Sequence, residues 1–99
     1  MPQYNTVTLS GATSTVLDIT TETLIKAGTG ALFAVSVTTA GTSNGFVYDS
    51  ATVGNAGTTD QILNFGSVIG KTDFATGFPY KNGLVVNPGT GQVVSVAYR

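Results

Sequence analysis

Residues 31–39 read Ala-Leu-Phe-Ala-Val-Ser-Val-Thr-Thr. In an extended backbone that order sends Phe33, Val35 and Val37 to one face and Leu32, Ala34, Ser36 and Thr38 to the other. The first face has the character of a core, and the second is only mildly polar. Residues 92–98 repeat the design, with Val94, Val96 and Tyr98 facing one way and Val93, Ser95 and Ala97 the other. Runs of the same kind fall at 4–9, 15–20, 23–27, 45–49, 60–65 and 83–87, rich in the β-branched residues that suit a pleated surface. Period-two alternation over so many short runs leaves little room for helix. It predicts about eight strands.

The connections carry turn residues. Asn44-Gly45 and Asn82-Gly83 are dipeptides suited to the positive φ of tight turns, and Asn87-Pro88-Gly89-Thr90-Gly91 reads as a hairpin joining the last two strands. Residues 51–59 form the best candidate for an exposed loop, and 71–78 read as a second irregular stretch. The fold class expected is all-β: one domain over residues 1–99, an antiparallel β-sandwich of about eight strands with jelly-roll or Greek-key connections. A barrel is the alternative. A sandwich leaves edge strands, which lysine, proline or bulges normally guard. Few guards stand out here, so neighbouring subunits are expected to cover some edges.

Composition narrows the function. Nine of the 99 side chains carry a formal charge, the net charge is −1, and histidine, cysteine and tryptophan are absent. Average soluble domains are about 25% charged, so this chain lacks the coat that keeps proteins apart and suits contact with other protein. Lys26, Lys71, Lys81 and Arg99 are scattered, which argues against nucleic acid, since phosphate binding needs clustered cations. The first residues lack the basic start and apolar stretch of a secretory signal, and no run approaches the roughly 20 apolar residues of a membrane helix. These features predict a protein made in the cytoplasm with no membrane partner.

General acid–base chemistry without histidine would fall to Asp18, Glu22, Asp49, Asp60 and Asp73, and no two sit at a spacing that implies a catalytic pair. No G-x-S-x-G elbow occurs, and Gly28-Thr29-Gly30 lacks the lysine and spacing of a phosphate loop, reading instead as a turn. Zinc has no Cys or His to hold it. Calcium could draw on Asp49 with Asn55 and Asp60, or on Asp73 beside Thr72, but no calcium-loop pattern is present. The simpler reading is that these aspartates hydrogen-bond turn and loop amides. No cofactor and no catalysis are expected.

Tyr4, Tyr48, Phe78, Tyr80 and Tyr98 are rings on which a sugar could stack, set against the simpler role of filling sheet faces. The segment 74–81, Phe-Ala-Thr-Gly-Phe-Pro-Tyr-Lys, is the richest mixed patch. The interaction surface expected from sequence comprises Phe74, Phe78, Tyr80, Lys81, Asn55 and Tyr48.

Four segments in order carry a resemblance: Ile25-Lys26-Ala27-Gly28-Thr29-Gly30-Ala31-Leu32, Val47-Tyr48-Asp49-Ser50, Asn82-Gly83-Leu84-Val85-Val86 and the closing Val96-Ala97-Tyr98-Arg99. Over residues 15–99 the chain resembles small bacteriophage β-sandwich virion proteins of the capsid decoration, knob or head-fibre-base type. It departs from them where Pro79-Tyr80-Lys81-Asn82 precedes Gly83, with the family's Phe-Ala-Thr-Gly stretch occurring earlier, at 74–77. The resemblance implies a virion structural protein, not an enzyme. The expectation is a capsid decoration or cement subunit that forms a homotrimer and docks on the major capsid protein. A tail, connector or tail-tip component is one alternative. A carbohydrate-binding adhesion module with a host glycan as partner is the other.

Overall fold

A computed structural model describes the backbone of residues 6–9, 13–54 and 58–99 and the side chains of 14–54 and 59–99. Tyr4 and Asn55, both singled out above, lie outside the described residues. Nine strands are found among those described: β1 (Thr6–Leu9), β2 (Thr13–Ile19), β3 (Thr23–Ala27), β4 (Gly30–Thr39), β5 (Gly45–Tyr48), β6 (Gln61–Phe65), β7 (Gly70–Tyr80), β8 (Gly83–Asn87) and β9 (Val93–Tyr98). One 3-10 turn, Thr58–Asp60, precedes β6. The additional strand is β7, which replaces the irregular stretch expected at 71–78.

The strands form two antiparallel sheets, β1-β2-β9-β4-β7 and β3-β8-β5-β6. Strands β2 to β5 pair in reverse order with β9 to β6, giving β2 with β9, β3 with β8, β4 with β7 and β5 with β6. A long two-armed hairpin of this kind, rolled so that β4 meets β9 and β5 meets β8, is a jelly roll with β1 added at one edge. The class expected from sequence therefore holds. The turns do different work from that expected, because β8 and β9 lie in different sheets, as do β4 and β5, and β7 and β8. The Asn87–Gly91 turn is thus a crossover between sheets, not a hairpin. Neither Gly45 nor Gly83 has a positive φ. Glycine is needed there for space, since a Cβ on Gly45 would enter the Phe65 ring and one on Gly83 would strike the Ser50 carbonyl.

The core lies between the sheets. Val16, Ile19, Leu32, Val35, Val37, Val94 and Val96 come from one, and Val47, Phe65, Leu84 and Val86 from the other. Burial of each such side chain is worth about 1.5–3 kcal/mol, which is what selects this register over its one-residue slips.

Bulges shift the alternation away from strict period two, and those in β4 and β2 decide the placement of Phe33 and Asp18. In β4, Leu32 pairs with Tyr98 and Ala34 with Ala97, so Phe33 is an extra residue. It turns Leu32 into the core, which is 0% exposed, and leaves Phe33 half-buried on the outside, with the Arg99 guanidinium 5.3 Å from its ring centroid. The expected core position of Phe33 is corrected accordingly.

In β2, Val16 pairs with Val96 and Ile19 with Val94, so Leu17 and Asp18 both stand opposite Ser95. Asp18 absorbs the insertion at φ 65°, a left-handed conformation that aspartate tolerates better than β-branched residues. Asp18→Gly should therefore raise stability by up to about 1 kcal/mol, and Asp18→Val should lower it by about 1–2 kcal/mol. Urea midpoints of the two variants check this, and identical midpoints would mean the bulge is absent.

The edges are better guarded than the sequence suggested. On β7, Lys71 and Asp73 form an ion pair at 3.5 Å, Pro79 removes a donor, and residues 74–77 all bulge opposite Phe33. On β3, Lys26 follows a further bulge. Strand β6 carries no charge and no proline along its edge.

Candidate functional site

At one end of the sandwich the β7–β8 corner is held by Asp49. Its carboxylate accepts backbone N–H groups from Asn82 at 2.7 Å, from Lys81 at 3.0 Å and from Gly83 at 3.3 Å. Partial burial pushes the Asp49 carboxyl upward, but these amides, led by Asn82, and the Lys81 charge outweigh it and hold the group below its ordinary 3.8. This is the loop-amide role read from the sequence, and it uses the carboxylate that a calcium site would need. A folded value below the unfolded one gives stability that is fully present above the ordinary value and lost as pH falls through the folded value. Asp49→Asn should therefore cost about 1 kcal/mol at neutral pH and flatten the loss of stability below about pH 4. Thermal melts of wild type and variant against pH provide the check. Parallel acid limbs would remove Asp49 from the corner.

Beside this corner lies an open depression of about 330 Å³, lined by Asp49, Asp60, Phe78, Pro79, Lys81 and Asn82 among others. It brings together Phe78 and Lys81 of the expected patch. Phe74 packs edge-on against Phe78, with centroids 5.5 Å apart, and also packs against the core.

Tyr80 is a correction to that patch. It is only 3% exposed, and its hydroxyl donates to the backbone oxygen of Arg99 at 2.8 Å, so its ring is unavailable to a ligand. Burial, aided by Tyr98, pushes its hydroxyl up to about 12. Tyr80 keeps the face of Gly70 and Thr72, which stand opposite the core residues Val37 and Val35, so its ring joins the core at the end of β7.

The other acidic residues are dispersed. Asp18 sits in the β2 bulge, Glu22 accepts the Gly54 N–H at 3.3 Å, and Asp73 pairs with Lys71. Among the described residues no three of His, Cys, Asp or Glu come together.

The opposite end is tied together by Gln92, which is 1% exposed. Its Oε1 accepts the Gly89 N–H at 2.8 Å, and its Nε2 donates to the Gly66 carbonyl at 2.8 Å. Gly41 N–H donates to the Ser67 carbonyl and Thr42 N–H to the Thr90 carbonyl, both at 2.9 Å. The β4–β5, β6–β7 and β8–β9 loops are thereby joined. From this base the β6–β7 loop presents Val68 and Ile69, which are 70% and 68% exposed. Below them a cavity of about 180 Å³ opens onto Val35, Val37 and Phe65. Sequence reading missed this loop. Its signal was two β-branched apolar residues between turn formers, Gly66-Ser67 before and Gly70 after.

The third surface is the outer face of the four-stranded sheet. Tyr48, expected on the interaction surface, is half-buried there beside Phe46, which the sequence reading passed over. Their ring centroids are 6.0 Å apart and their planes 24° from parallel. The class so defined is a jelly-roll β-sandwich with one exposed apolar loop and one aromatic sheet face. Comparison with protein families, with curated proteins and with solved structures finds no match.

Proposed function

We propose that the chain is a non-catalytic structural subunit of a bacteriophage virion, a capsid decoration subunit that forms a homotrimer and docks on the major capsid protein. The observation that carries this reading is the exposure of Val68 and Ile69 on a loop whose base is fixed by hydrogen bonds to its neighbours. Large β-branched side chains held rigidly in water lose little entropy on docking and gain from desolvation. The jelly roll itself serves capsid domains, lectins and cupins alike, so it is compatible with the reading without selecting it. The ordered segments that resemble those of small virion proteins supply the rest. A lattice of identical sites lets a 99-residue subunit bind weakly at each contact and still decorate the particle through trimer avidity.

The test is stoichiometry on the particle. Quantitative mass spectrometry of purified virions should give tens to hundreds of copies, and the isolated protein should run as a trimer in light scattering. The double variant Val68→Ser/Ile69→Ser should stay folded within about 0.5 kcal/mol, because both positions are exposed, and should no longer sediment with heads. Six or twelve copies per virion would assign the chain to a connector or tail instead. Undiminished sedimentation of the double variant would remove the loop from the docking surface.

A further inference from the structure

In β5, Gly45 and Val47 point into the sandwich, so Phe46 and Tyr48 point away from it. Cross-strand partners share a face. Phe46 therefore stands between Asn64 of β6 and Asn87 of β8, and Tyr48 between Gln61 of β6 and Val85 of β8. The result is a face with two near-parallel rings at 6.0 Å, three primary amides in the adjoining register positions, and no charged side chain among them. Asn64 and Gln61 are exposed, and Asn87 is half-buried.

We propose that this face is a binding site for a neutral pyranose oligosaccharide. Each element of the face selects against the other ligand classes. An anion or cation would find no counter-charge at these positions. A purely apolar partner would cover Gln61, Asn64 and Asn87 and leave their donors and acceptors unpaired, which disfavours binding. A sugar meets both demands. The C–H groups on one side of a pyranose rest against the electron-rich faces of Phe46 and Tyr48. Its hydroxyls, each both donor and acceptor, match side-chain amides that offer both functions. The site does not depend on the virion reading, and none of its five residues lines the cavity beneath the Val68–Ile69 loop.

The experiment is a nuclear magnetic resonance titration of the full chain with neutral hexasaccharides of glucose, mannose and galactose, each at millimolar concentration. Shifts should concentrate at Phe46, Tyr48, Gln61, Asn64 and Asn87 for at least one of them. Tyr48→Ala should weaken that binding about tenfold, corresponding to loss of one ring contact. Asn64→Ala keeps the proposal testable should the tyrosine variant fold poorly, because Asn64 is exposed; it should weaken binding about threefold with an unchanged melting temperature. Silence with all three sugars would overturn the proposal. So would binding that survives both substitutions, or a change of oligomeric mass on Asn64→Ala without sugar binding, which would make the face a contact between copies.

Discussion

Gly30→Ala should lower stability by about 3 kcal/mol or more, a fall in melting temperature of roughly 12 °C or more for a domain of this size. A Cβ at Gly30 would overlap the backbone oxygen of Arg99 and the hydroxyl end of Tyr80. Neither neighbour can move cheaply. Ala31 N–H donates to the Arg99 oxygen and Arg99 N–H to the Ala31 carbonyl, both at 2.8 Å, while the Tyr80 hydroxyl donates to the same Arg99 oxygen. The alanine variant must break this knot or displace β4 from β7. Tyr80→Phe isolates the hydroxyl and should cost about 1 kcal/mol, or roughly 4–8 °C. Because both substitutions act on the same oxygen, the double variant should lose less than the sum of the two. Calorimetric scans of the three variants decide the matter. A Gly30→Ala midpoint within about 2 °C of wild type would mean that Arg99 does not pack against β4.

Gln92→Leu should cost about 3 kcal/mol although it exchanges a polar group for an apolar one of similar size in a buried position. The substitution leaves the Gly89 N–H and the Gly66 carbonyl without their partners, and each unpaired group costs about 1–3 kcal/mol. Leucine regains part of that by apolar burial. Gln92→Glu separates hydrogen bonding from packing. A carboxylate can still accept from Gly89 but presents oxygen to the Gly66 carbonyl, so the variant should be weak at neutral pH. It should recover as pH falls, since a protonated carboxyl can donate. Denaturant titrations across pH test the sign, and amide exchange should show the loops at 40–44, 66–69 and 88–92 loosening together. A pH-independent Gln92→Glu would exclude a donor role for this side chain.

The legible part of the fold was its local part. Alternation in 92–98 placed Val94 and Val96 in the core, where they are 0% and 2% exposed. It failed at Phe33 for a physical reason. A bulge inserts a residue without marking the sequence, and every side chain beyond it changes face. Asp18 left a faint trace, as a residue tolerant of positive φ in a β-branched run. Turn residues were found where turns occur. Whether the chain then returned beside its last strand or crossed to the other sheet was not encoded in the turn, because that choice depends on which apolar face must be covered.

The same division runs through the candidate sites. Tyr48, Phe78 and Lys81 were recognisable as chemistry. Phe46 acquired meaning only from its register with Asn64 and Asn87. Val68 and Ile69 look like core residues in the sequence and are the most exposed large hydrophobic side chains among those described.

By itself, then, the alternation of residues such as 31–39 determined that this chain is a two-faced β structure, since period two is a property of the backbone and survives in any sheet. The scarcity of charge also followed from sequence alone. Tertiary structure decided the rest: where bulges reset the faces, which strands cross between sheets, and which apolar residues remain outside. Those depend on long-range pairing of β2 to β5 with β9 to β6, and burial energy distinguishes the pairings only once both sheets are in place.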